Sequence, residues 1–182
     1  MAVYSQQGIN IAFIGANVKA LTACAEYLRI HHDFKRLNME TALKLFHKRS
    51  YWFKNKHQIK WFDLQAMYDA IYKVDPEIFI NYTMGRLAHS KADHVIWNVR
   101  YINEMKALQE AGFVICRVTH NVRRTDIGRY AKNAADGSVP LALQYDKTFA
   151  IRHKVDYSVN WTDKASTGTI LTPFLESIGY KI

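Results

Sequence analysis

The stretch "IAFIGANVKALTACAEYL", residues 11–28, decides how the chain is to be read. Ile11-Ala12-Phe13-Ile14 is an apolar run of strand length, and Gly15 opens a short polar turn. From about Ala16 to Ile30 the apolar residues recur at helical spacing. Leu21, Cys24, Ala25 and Leu28 fall at i, i+3, i+4 and i+7, one stripe of a helix facing a core. Strand, glycine turn and helix in that order is the local architecture of a phosphate-binding loop, whose pattern is G-x-x-x-x-G-K-[ST]. Set on that pattern from Gly15, the second glycine becomes Ala20 and the lysine becomes Leu21; only Thr22 agrees.

Each departure has a physical consequence. In a working loop, backbone N–H groups surround the phosphates and the helix N-terminus adds partial positive charge. The lysine reaches the terminal phosphates and the Ser/Thr hydroxyl holds Mg²⁺. The glycines allow backbone angles and close approaches that a Cβ forbids. Ala20 restores that Cβ, and Leu21 puts an aliphatic chain where a cation belongs. Leu21 also lies on the apolar stripe of its own helix, so it is expected in the core. Gly15, Asn17, Lys19 and Thr22 remain as candidate phosphate-side residues. The competing reading makes Lys19 a solvated loop charge and Thr22 a capping or exposed hydroxyl.

Outward from this stretch, strands and helices alternate. Strands are expected over Ile9–Ile14, Asp93–Val99, Phe113–Val118 and residues 155–160. Phe113–Val118 is a near-continuous apolar run, so it is expected to be buried on both faces. Asn38 can cap a helix carrying Met39, Ala42, Leu43 and Phe46. Trp61, Leu64, Tyr68 and Ile71 mark another, and Pro76 suits the first turn of one running to Leu87. Ile102, Met105 and Leu108 belong to a helix that Gly112 stops. Ile170, Leu171, Phe174, Leu175 and Ile178 share one side of the last helix. Strands separated by helices of this length predict one α/β domain over residues 1–182, a three-layer parallel sheet with helices on both faces.

The composition agrees: of 182 residues, 49% are hydrophobic and 13% aromatic, a globular chain long enough to need no staples. Cys24 and Cys116 read as small buried hydrophobes, with no C-x-x-C spacing. The eight histidines have no metal-ligand spacing, so no metal site is proposed. No apolar run nears ~18 residues and the N-terminus has no charged-then-apolar leader, so a cytoplasmic protein with no membrane contact is expected. The net charge of +9 favours polyanionic partners.

Further along, "HVIWNVRYINEMKALQEAGFVICRV", residues 94–118, resembles the second half of phage-type deoxynucleoside monophosphate kinases. That family's pattern is an apolar strand ending in Asp, then V-R-[FY]-x-N-E, a helix, a glycine and another apolar strand. Val99, Arg100, Tyr101, Asn103 and Glu104 match it. "VDYSVNWTDKASTGTILTPFLESI", 155–178, is similar to the family's ending through Asp156 and Asn160, "CAEYL", 24–28, to its T-A-D-F-[LI], and "ETALKLF", 40–46, to its A-x-x-[LI]-K helix. The resemblance is weak over 50–90 and 120–150. It implies a P-loop-kinase-like sheet and a viral, host-cytoplasmic origin. It also implies substrate-side roles for Arg100 and Glu104, against the alternative of an ion pair bracing the turn. Where the family places its Asp, this chain reads Trp97-Asn98, and an amide offers a hard cation no anionic oxygen.

Two basic tracts complete the reading. Residues 44–62 form a basic, aromatic segment in which Lys44, Lys48, Arg49, Trp52, Lys54, Lys56 and Lys60 suit nucleic acid, against the alternative of a helix with core aromatics and solvated charges. Residues 120–148 read as a lid-like polar segment carrying Arg123, Arg124 and Arg129, where the resemblance implies an arginine-bearing lid. The expectation is a catalytically inactive relative retained to bind nucleic acid, a nucleotide or an acidic protein surface, without a cofactor. One alternative is an active deoxynucleoside monophosphate kinase, using ATP and Mg²⁺ with Lys19 replacing the lysine. Another is a structural virus protein that forms a homo-oligomer.

Overall fold

The computed structural model describes residues 8–15, 17–39, 41, 43, 61–99, 101–120 and 155–181. In chain order the elements are β1 (Asn10–Ile14), α1 (Val18–His31), β2 (Lys35–Leu37), α2 (Trp61–Val74), α3 (Ile78–Leu87), β3 (His94–Ile96), α4 (Ile102–Glu110), β4 (Val114–His120), β5 (Tyr157–Trp161) and α5 (Thr167–Ser177). The chain divides into two compact units, one of residues 1–36 with 91–182 and one of residues 37–90.

The five strands form one sheet in the order β2-β3-β1-β4-β5. β1 pairs parallel with β3, Ile11 opposite Val95, and with β4, Ile11 opposite Val114; β4 pairs parallel with β5, Val118 opposite Val159. This is an α/β fold with a parallel sheet in the middle layer, as the alternating pattern predicts. Side chains alternate across the sheet. Ile11, Phe13, Val95, Trp97, Cys116, Val118, Val159 and Trp161 join one buried cluster with Leu21, Cys24, Ala25 and Leu28 of α1 and Leu171, Phe174 and Leu175 of α5. Phe174 meets the Phe13 ring edge-on at 6.2 Å and Tyr157 at 5.2 Å. The alternate residues Ala12, Ile14, Ile96 and Ile115 are buried too, as are Met105 and Leu108 of α4. Both faces of the central strands are therefore dry, which accounts for the apolar run at β4.

Local chemistry sets the element ends. α1 starts two residues later than the spacing suggests, because Asn17 is its N-cap: extended (φ −94°, ψ 96°), it accepts the Ala20 N–H on Oδ1 at 3.1 Å. α4 ends in a Schellman motif. Gly112 takes φ +83°, its N–H donates to Gln109 O, and the Phe113 N–H donates to Leu108 O at 2.9 Å. β3 is shorter than the expected Asp93–Val99, because Trp97, Asn98 and Val99 leave the ladder to reach the extended Tyr101 before α4. β4 instead runs on to His120, where the Thr119 hydroxyl donates to Val159 O at 3.0 Å.

In the second unit, Tyr68 of α2 stacks on Phe79 of α3, centroids 3.9 Å apart and planes 10° from parallel. The Thr83 hydroxyl donates to Phe79 O one turn back. Pro76 precedes α3 instead of sitting in its first turn. It lies in a turn in which Asp75 Oδ1 accepts the Glu77 N–H (2.9 Å) and Asp75 O accepts the Ile78 N–H. Met39 and Leu43 of the helix expected after Asn38 are buried, while Phe46 of that helix lies outside the described residues.

Candidate functional site at the carboxyl edge of the sheet

In a parallel sheet all strands end at one edge, and ligand crevices form where connections leave adjacent strands in opposite directions. Here that place lies between β1, whose chain goes toward β2, and β4, whose chain goes toward β5. Gly15 stands at this point. A Cβ on Gly15 would press into Val118 O, inside contact distance, so the neighbouring strand by itself requires glycine here. Leu21 Cδ2 lies 3.5 Å from the same position.

The pattern's remaining positions are spent on the fold. Ala20 is wholly buried and Leu21 is 5% exposed, both in the main core cluster. Removing a leucine of this kind from water is worth about 1.5–3 kcal/mol, so the side chain is held on the core face of α1. Asn17 uses its amide oxygen on the Ala20 N–H. Lys19 is exposed. Thr22 is half-buried in the second turn of α1, so the capping residue is Asn17 and not Thr22.

Just after β3, Trp97 is 8% exposed at the sheet end, and the Arg36 guanidinium sits over its ring at 4.1 Å while pairing with Glu26 of α1. Glu104 is wholly buried, and its Oε2 accepts the Tyr101 N–H at 3.1 Å, which closes the start of α4. On β5, Trp161 is 7% exposed, and its indole N–H is sealed without a partner among the described residues. Leu21, Trp97, Val118 and Trp161 thus finish this face of the sheet with apolar groups.

Asp156, matched through the resemblance, lies at the other edge. Its Oδ2 accepts the Ile115 N–H at 2.7 Å and its own N–H donates to Ile115 O. The length of β5, roughly 16 Å at strand rise, separates it from the Gly15 turn. Asp93, not singled out by the sequence reading, does the same between β3 and β1: its Oδ1 accepts the Ile9 N–H at 2.6 Å. Each Asp precedes a short apolar strand, and that position is the only sequence signal of the role.

Arg100, Arg123, Arg124, Arg129, Lys44, Lys48, Arg49, Trp52, Lys54, Lys56 and Lys60 lie outside the described residues, as do the Asp136-Gly137 turn and most of the two basic tracts. Their charge is still informative. The described residues hold eleven Lys or Arg against twelve Asp or Glu, so the frame is almost neutral. Residues 44–60 hold six Lys or Arg and no acid, and residues 121–154 hold seven against three. The chain leaves β2 at Leu37 and β4 at His120, both at carboxyl ends of parallel strands.

Burial pushes the Cys24 thiol up to about 12 and the Cys116 thiol well above its ordinary range, the latter raised further by Cys24. Both are inert core groups. Among the described residues no three His, Cys, Asp or Glu gather as metal ligands, and no helix is long and apolar enough to cross a membrane.

No family model matches this chain, and neither does any curated protein. Its function is therefore argued from its own residues.

Proposed function

We propose that the chain is a catalytically inactive relative of the phage deoxynucleoside monophosphate kinases that serves as a basic binding protein, with nucleic acid as the partner its charge fits best. The observation that carries the first half is Leu21: the position that a phosphate loop gives to lysine is part of the core. Trp97-Asn98 at the end of β3 supports it independently, because the acid that would face Mg²⁺ is absent from that position. Losing one such transition-state contact costs on the order of 10²-fold or more in rate, and two together leave little phosphoryl transfer.

The second half rests on where the charge lies. A near-neutral frame with the positive excess confined to two tracts suits contact with phosphates, and the aromatics between the lysines of 44–60 suit base stacking. Purified protein is expected to bind DNA or RNA with an affinity that falls steeply with salt, the log–log slope near −0.9 per duplex phosphate contacted. It is expected to turn over no deoxynucleoside monophosphate with ATP·Mg²⁺. Turnover above ~0.1 s⁻¹, against ordinary enzymes at roughly 1–10³ s⁻¹, would reinstate the kinase and Lys19 with it. A salt-independent or absent affinity would remove nucleic acid and leave a protein partner.

A further inference from the structure

At the amino edge of the sheet, α1 and α5 both end on a cluster of aromatic and histidine rings. α5 closes in a second Schellman motif, with Gly179 at φ +74°, its N–H on Glu176 O and the Tyr180 N–H on Leu175 O. That turn delivers Tyr180 onto the end of α1, where its hydroxyl donates to His32 O at 3.1 Å. The His32 ring lies edge-on to Tyr180, centroids 5.4 Å apart, and tilted against Tyr27 at 5.3 Å. Tyr27 also meets His31 at 4.7 Å, and Phe34 packs on Tyr180 at 5.4 Å. Within this cluster His32 Nε2 is sealed from solvent with no hydrogen-bond partner among the described residues.

We propose that this cluster is an acid-sensitive latch: neutral His32, its sealed Nε2 needing no acceptor, holds the chain after α5 against the end of α1, and a proton on Nε2 opens it. A neutral imidazole can carry its single proton on Nδ1 and leave Nε2 as a bare lone pair. Protonation turns that lone pair into a donor with nowhere to donate, which is costly in a sealed site. To bring that proton to water the ring must shift out of its packing between Tyr27 and Tyr180.

The surroundings set the direction. Tyr27 and His31 face His32 from α1, and Asp33 and Phe34 follow it in the chain. Tyr180 packs from beyond α5. Asp93, ahead of β3, acts with Asp33 and burial to raise the Tyr180 phenol, so that group stays a donor. The two carboxylates would favour an imidazolium, but burial, and then the charge of His31, hold His32 below its ordinary 6.5. The open state therefore takes up the proton more readily than the closed one. Docking is fully present above about pH 6.5 and is lost as pH falls through the lowered value.

The test follows the His31 and His32 imidazole resonances by NMR, together with amide exchange of residues 178–181 across pH 4.5–8. His32 is expected to titrate below the ordinary histidine value, with protection of the Tyr180 amide falling at the same pH by up to about tenfold per unit, the slope of one linked proton. In His32→Phe the protection is expected to be flat across that range. Should that variant fail to fold, Tyr180→Ala, which removes the ring packed on His32, is expected to raise the His32 titration toward its ordinary value. Titration of His32 at its ordinary value, or protection of the Tyr180 amide that is constant across this pH range in the wild-type protein, would overturn the latch. So would a pH-dependent loss of protection that persists in His32→Phe.

Discussion

The two edges of the sheet are built on opposite plans. At the amino edge, polar groups hold the strands in register: Asp93 ties β3 to β1, Asp156 ties β5 to β4, and Lys35 N–H donates to Asp93 O beside them. At the carboxyl edge, where sheets of this kind ordinarily take ligands, most of the pattern's described positions are apolar or engaged in the fold, with Lys19 exposed beside them. Leu21, Trp97 and Trp161 are core, Gly15 abuts Val118, and Asn17 caps its own helix. Glu104, to which the resemblance gives a substrate-side role, accepts the Tyr101 N–H, and Asp156, which matches the family pattern, accepts the Ile115 N–H. An aspartate can match a family pattern because a strand start needs an acceptor, and a glycine can survive because the next strand leaves no room for a methyl.

This contrast can be broken most severely at Leu21. Leu21→Lys puts an unpaired cation into the core and is expected to cost about 3–5 kcal/mol, read as a shifted midpoint in urea denaturation, with no gain of ATP binding. A variant that stays stable and binds ATP would mean that the carboxyl edge is a dormant phosphate site. Next in size is Gly15→Ala, whose methyl must displace the β4 backbone; a loss of about 2–3 kcal/mol is expected, again by denaturation. A neutral outcome would show that the turn has slack for a ligand. Smaller effects belong to the amino edge. Asp93→Ala and Asp156→Ala should each cost about 1.5–3 kcal/mol, the worth of a hydrogen bond to a charged group. The two losses should add in the double variant because they clamp different strand pairs. If either substitution left stability alone but abolished a binding activity, that aspartate would belong to a site after all.

Much of the frame was legible beforehand. The stripe Leu21-Cys24-Ala25-Leu28 and the run at β4 announced their burial through spacing alone, and Gly112 marked the end of α4. β2 was not legible. Lys35-Arg36-Leu37 has three residues, two of them charged, and becomes a strand only because β3 lies beside it. β3 was overestimated for a related reason: Trp97 and Val99 remain buried after the backbone has left the ladder, and an apolar pattern records burial, not pairing. At the candidate site, the loss of charge at Leu21 could be read from one residue. Asn17 as a cap and Glu104 as a brace could not, since an amide or carboxylate in a turn serves a ligand or its own backbone equally well until distances are known.

The sealed indole of Trp161 has a practical consequence. An indole in an apolar setting emits at shorter wavelength than one in water, and Trp97, 8% exposed, and Trp161, 7% exposed, both lie in such a setting. The carboxyl edge therefore carries two indole reporters whose emission would shift if water reached them or left them. With Trp52 and Trp61 replaced by phenylalanine, their emission would register whatever docks there without any attached dye.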